Sequence, residues 1–260
     1  MDIILPIPFV LLWLIFLKGF VDKGNKYLVL LSGLMLGVGL HSYHAAKVMM
    51  PIYAVSSLVL LWKERERNIR PYLLFLAGFL IPIVLFIPWL SSHPDTLLNQ
   101  ISYVGSIDKT INTQEGIFGV FNLARAKVFA SSYLTYLAPS ILFFTGDRSV
   151  IHSTHTSGAF LFPLMFLLVF GILSVLFKKK DNFSRLILFG FLTYPVAPAL
   201  INDPGRISRG LVGIVFVIIL SVYGLKFLLS FRDRIFRILV GAIFVLSFLQ
   251  FILFLQFYFG

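Results

Sequence analysis

Apolar residues run along this chain in long blocks, interrupted by short clusters of Lys and Arg. The blocks 3–17, 71–92, 156–177 and 238–260 contain no charged residue. Their length matches the ~20 residues that a helix needs to cross the hydrocarbon core of a bilayer. Backbone inside lipid must satisfy its own hydrogen bonds, so the blocks predict helices. The dyad alternation of a transmembrane β-barrel is absent from them. The pattern predicts eight spans, over 3–18, 27–42, 46–62, 71–90, 158–177, 185–201, 210–229 and 237–258. The predicted fold class is all-α: a polytopic transmembrane helical protein forming a single transmembrane domain over 1–260, with a long external loop at 91–157. Within that loop Phe118, Phe121, Leu123, Val128 and Phe129, grouped around Arg125 and Lys127, predict a short amphipathic helix on the membrane surface.

Composition strengthens this picture. Of 260 residues 58% are hydrophobic and 13% charged, too little polar surface for a soluble domain of this size. The net charge of +11 does not imply nucleic acid, because the basic residues sit in short connections between spans. The connections 18–26, 63–70, 178–185 and 230–237 hold 14 of the 22 Lys and Arg. By the positive-inside rule these four face the cytoplasm. The first two must then be separated by an even number of crossings. Residues 27–62 therefore form a tight hairpin with its tip at 41–47 on the outer side. Segment 91–157 and turn 202–209 share that side, as do all five histidines. With no cysteine there is no disulfide framework and no thiol chemistry.

This topology puts Met1 outside, with no cleavable signal and no basic anchor before the first span. The expectation that follows is that an odd number of spans precedes this chain in a longer protein.

Three polar clusters fall on the outer side: His41, Tyr43, His44 and Lys47; Asp147 and Arg148 with His152 and His155; and Asn202, Asp203, Arg206 and Arg209. Polar groups near membrane depth are costly, so each cluster is a candidate site. Taken singly, Lys47 equally reads as a residue snorkelling to headgroups, and Arg206 and Arg209 as contacts to lipid phosphate. His41 and His44, like His152 and His155, stand three apart, which on a helix places two imidazoles on one face as metal ligands often are. Only Asp147 among these residues offers a nearby carboxylate, so the expectation is polar interface residues with no metal and no cofactor. Gly33-Leu-Met-Leu-Gly37 is a small-xxx-small pattern that suits helix packing. The spans hold no acidic residue, and Lys226 lies near the cytoplasmic end of its span. Ion-coupled transport usually needs ionisable groups at the midplane, so the pattern favours chemistry at the outer surface.

At these clusters the sequence resembles the GT-C type membrane glycosyltransferases, the group related to dolichyl-phosphate-mannose–protein mannosyltransferases and the aminoarabinose transferases of lipid A. The likeness runs over about 28–229 and rests on three stretches. Residues 33–47, followed by Pro51, are similar to the family's Gly-rich span with a Tyr-x-Tyr-x-Ala-Arg type tip; Lys47 stands where that Arg is usual. Residues 133–147, with His152 after them, are similar to a segment ending in Phe-Phe-x-Gly-Asp. Residues 198–203, with Arg206 and Arg209, resemble a late external turn rich in Asp, His and Arg, although a His common there is replaced. The family's catalytic carboxylate lies in a first external loop that no segment here matches, so the catalytic residue is unassigned and the expectation is that this chain by itself has no transferase activity.

The resemblance implies transfer of a sugar from a polyprenyl-phosphate carrier to an acceptor outside the cytoplasm. A carboxylate would act as general base on the acceptor hydroxyl, and cations would stabilise the departing phosphate. Lys47, Arg148, Arg206 and Arg209 are the expected phosphate ligands, and Tyr43, His44, Asp147 and His152 the expected lining of the sugar site, with Asp203 also expected to bind substrate. The expected partners are the lipid-linked sugar and membrane lipids, with no nucleic acid. The rival reading is a non-enzymatic membrane protein that binds or translocates lipid-linked sugars.

Overall fold

The computed structural model describes residues 6–64, 68–92, 123–147, 157–178, 181–200 and 207–259. These residues form helices and turns, with no strand among them, so the predicted all-α class holds. Helix α1 (Pro6–Lys23) closes on Gly24, whose φ of 67° is a left-handed value and whose N–H donates back to the Phe20 carbonyl. Asn25 then opens α2 (Lys26–Gly39), its side chain accepting from the Tyr27 N–H. Two residues therefore reverse the chain, and α1 and α2 lie side by side. Helices α3 (Ala46–Lys63) and α4 (Arg70–Ser92) complete the first half.

Gly33, Gly37 and Gly78 bring α2 and α4 into close contact. A methyl group at Gly33 would overlap the Phe75 carbonyl oxygen, and one at Gly78 the Leu30 carbonyl oxygen. Without side chains at these points the backbones approach closely, the packing that small-xxx-small spacing implies.

In the second half, α5 (Leu123–Leu137) leads into a π-helical turn (Ser140–Thr145). Helix α6 (Leu164–Leu173) runs on into a second π-helical turn (Ser174–Lys178). Asp181 caps α7 (Asn182–Thr193) by accepting from the Ser184 N–H at 2.9 Å. The short α8 (Val196–Ala199) and a 3-10 turn (Ile207–Gly210) precede α9 (Gly213–Leu229) and α10 (Arg234–Phe259). Helices α6 and α9 cross at Gly171 and Gly224, where each glycine faces the other helix's backbone.

A buried aromatic knot joins the halves. Trp13 donates its indole N–H to Ser57 Oγ at 2.9 Å and stacks on Tyr53 at 5.0 Å. Tyr53 in turn meets the Phe216 ring edge-on at 5.5 Å, so α1, α3 and α9 are tied together.

Each of the eight predicted spans is occupied by helix, but only α3, α4 and α10 are long and apolar enough by themselves to cross a membrane, among the described residues. Helices α2 and α9, and α6 with its extension, are shorter apolar helices. Helix α1 carries Lys18, Asp22 and Lys23 inside its last turns, with Lys18 paired to Asp22. The predicted span 185–201 breaks after Thr193: Tyr194 keeps helical angles and donates to the Gly190 carbonyl, but Pro195 has no N–H with which to continue the ladder. Much of the apolar surface of α4 and α10 is exposed, including Leu85, Ile87, Phe248 and Leu253, as lipid-facing helices require.

The segment predicted as an external loop differs from expectation in one respect. Residues 118–122 of the predicted amphipathic patch lie outside the described residues, but from Leu123 onward the chain is not a helix resting alone on a surface. Tyr136 and Ser132 of α5 are buried, Tyr133 donates its hydroxyl to the Leu192 carbonyl at 2.6 Å, and the Tyr194 hydroxyl donates to the Tyr136 carbonyl. Hydrogen bonds from two tyrosines thus dock α5 on the end of α7.

Three contacts gather the four basic connections at one end of the bundle. Lys18 lies over the Phe183 ring at 5.4 Å, Asn182 donates to Glu64 Oε1 at 3.0 Å, and Lys178 donates to Ser230 Oγ at 2.8 Å.

Candidate functional site

The opposite end of the bundle holds the described candidate residues. The tip between α2 and α3 is built from successive turns: the His41 N–H donates to the Val38 carbonyl, that of Ser42 to Gly39, and that of Ala46 to Tyr43. His41 and His44 therefore do not stand on a helix, and the expectation that their spacing puts both rings on one helical face is corrected. Their surroundings differ too. The His41 ring packs on Phe86 of α4 at 4.5 Å, whereas the His44 ring meets the Tyr43 ring at 6.1 Å. Among the described residues no group of three or more His, Asp or Glu is arranged to hold a metal.

Partial desolvation lowers the pKa of the otherwise exposed His41 imidazole, and the nearby Lys47 ammonium pushes it the same way; a hydrogen bond to the Pro82 carbonyl opposes both. His44 and Lys47 are exposed, and Tyr43 is half-buried against the main core.

Asp147 reaches this end by a different route. The π-helical turn ends on Gly146, with φ 72° and ψ −157°, a combination open essentially to glycine alone. That backbone turn directs Asp147 inward, where it is 4% exposed. The returning chain covers the turn, the Phe160 N–H donating to the Leu142 carbonyl at 2.8 Å. Among the described residues Asp147 is the one carboxylate at this end; Asp22, Glu64, Asp181 and Asp233 all sit with the basic connections.

Arg209 lies on the 3-10 turn before α9, half-buried, with part of its guanidinium enclosed. The next residue, Gly210, lies against the rings of Tyr194 and Tyr136. Tyr194, whose hydroxyl helps to dock α5, thus also positions the Arg209 turn, together with the Tyr136 ring. Sequence reasoning missed both as organising residues. Their signal was a polar Tyr-Pro pair inside an apolar block, at Tyr194 and Pro195. Arg148, His152, Asp203 and Arg206 lie outside the described residues.

The end that carries Asp147 and Arg209 has a void of about 10 Å³ between Tyr136, Tyr194, Gly210 and Gly213. That is room for a water at most, not a sugar. A much larger open groove, about 570 Å³, lies on a different part of the molecule, between α3 and α7.

The fold and the charge distribution define an all-α protein with membrane-length apolar helices and a polar end opposite a basic one. Comparison of the chain with family models, with curated proteins and with solved structures gives no match.

Proposed function

We propose that this chain is a multi-pass cell-membrane protein with eight crossings, and that it belongs to the transfer of a sugar from a polyprenyl-phosphate donor to an acceptor on the external side, as a glycosyltransferase of the GT-C type. The shorter helices would complete their crossings within the bundle, shielded from lipid by α4 and α10. The observation that carries the reading is the presence of a buried carboxylate, Asp147, and the cations Lys47 and Arg209 at the same end, away from the basic connections. By the positive-inside rule that end is external.

In the reaction, the acceptor oxygen bonds to the anomeric carbon as the bond from that carbon to the phosphate oxygen breaks. A carboxylate takes the acceptor proton, and polyprenyl phosphate leaves with its charge held by cations. Guanidinium suits that role because it can grip two phosphate oxygens at once.

The test is binding of a polyprenyl-phosphate sugar to the purified full chain. Arg209→Ala is expected to weaken binding by roughly 1.5–3 kcal/mol, the worth of a hydrogen bond to a charged group. Arg209→Lys should recover part of this, because lysine lacks the bidentate geometry. Unchanged donor affinity in Arg209→Ala, with folding lost instead, makes Arg209 a structural anchor and removes the phosphate site. Turnover that Asp147→Asn abolishes identifies Asp147 as the base. Donor binding accompanied by movement of donor between leaflets, without transfer, supports the translocator in place of the enzyme.

A further inference from the structure

The groove between α3 and α7 runs from Pro51, one turn beyond Lys47 of the tip, to Lys63 among the basic connections. Its walls are Ile52, Val55 and Val59 on one side and Leu186 and Phe189 on the other. Val55, Val59 and Phe189 are exposed there despite being apolar. At its basic end stand Lys63 and Arg185, and among the described residues no carboxylate lines it. Among the described residues, Glu64 and Asp181, which flank this end in sequence, are already engaged: Glu64 accepts from Asn182, and Asp181 accepts from the Ser184 N–H and hydroxyl.

We propose that this groove holds one acyl chain of an anionic glycerophospholipid, with the lipid phosphate between Lys63 and Arg185. Three features select this occupant. From Pro51 to Lys63 the groove follows α3 for about 18 Å at 1.5 Å per residue, close to the ~15 Å of hydrocarbon in one leaflet. A volume of about 570 Å³ with apolar walls suits a flexible chain and offers almost nothing to a polar ligand. The cations sit at one end only, where an anionic headgroup lies when its tail fills the groove. Trp62, beside Lys63 and 71% exposed, marks the same level, since indole favours the boundary between hydrocarbon and headgroups. The proposal rests on membrane insertion and not on glycosyl transfer, so either can fail without the other.

The chain has no cysteine, so Val59→Cys introduces a single thiol in the groove wall. Labelled with bimane and held in detergent, the full chain is titrated with phosphatidylglycerol or phosphatidylcholine carrying brominated acyl chains. Phosphatidylglycerol should reach half-quenching at about fivefold lower mole fraction, the effect of one favourable cation–anion contact at an interface. Replacing Lys63 and Arg185 together by Gln should abolish that preference while leaving the quenching by phosphatidylcholine. Val55→Trp, which fills the groove, should reduce quenching by both lipids. Equal quenching by the two lipids in the unmodified groove overturns the proposal. So does quenching no stronger than at bimane placed by Leu253→Cys on the open face of α10. Displacement of phosphatidylglycerol by an equal or smaller mole fraction of polyprenyl phosphate also overturns it, and assigns the groove to an isoprenoid tail. All the substituted side chains are exposed, and unchanged thermal unfolding of each variant confirms that the fold is intact.

Discussion

At the scale of single residues, the tip shows how neighbours set chemistry. The His41 pKa is lowered first by partial desolvation and then by the Lys47 charge, with the Pro82 carbonyl pulling the other way. A depressed value in the folded state means that the histidine's contribution to stability is present above the unfolded value of about 6.5 and is lost as pH falls through the folded value. Titration of histidine-labelled protein by NMR should place the His41 midpoint below that of an unfolded chain. Lys47→Met should raise the midpoint part of the way, because the partial desolvation remains. A midpoint that does not respond to Lys47→Met would show that the two side chains are not electrostatically coupled. Some residue-level features were legible beforehand. Lys47 and Arg209 stood out as cations beside apolar blocks. The inward turn at Gly146 did not, because a left-handed backbone angle follows from how the chain closes over the π-helical turn and not from composition.

At the scale of helices, packing depends on where side chains are missing. The Gly33–Gly37 pair announces its role by spacing within one helix. Gly171 and Gly224 give no such local signal, since each belongs to a different helix and they meet only when α6 and α9 cross. A methyl group at Gly171 would overlap the Leu220 carbonyl oxygen, and at Gly224 the Leu167 carbonyl oxygen. Both obstacles are backbone, which cannot rotate away. Gly171→Ala and Gly224→Ala should each destabilise the protein by about 1–3 kcal/mol, the range for overpacked interfaces. Gly241→Ala in α10, where a new methyl meets nothing, should be neutral or slightly stabilising through better helix propensity. Thermal unfolding in detergent reads all three. Equal midpoints for the Gly171 and Gly241 variants would show that α6 and α9 do not cross closely.

At the scale of the whole molecule, two ends of opposite character emerge. Single cysteines replacing Thr145, near the candidate site, and Asp233, among the basic connections, should separate cleanly in intact cells. An impermeant thiol reagent should label the first directly and the second only after lysis. The reverse pattern would invert the orientation and move the candidate site to the cytoplasmic side. The sequence by itself determined the all-α class and the rhythm of the basic connections. Both follow from hydropathy and charge counted along the chain, since backbone in lipid must form helix and Lys and Arg resist translocation. Only the tertiary structure decided that His41 and His44 occupy turns, that α5 docks through Tyr133 and Tyr194, and that α3 and α7 part to leave a groove. These features depend on pairs of residues far apart in sequence, and packing fixes such pairs through shape and hydrogen-bond geometry that a one-dimensional pattern does not contain.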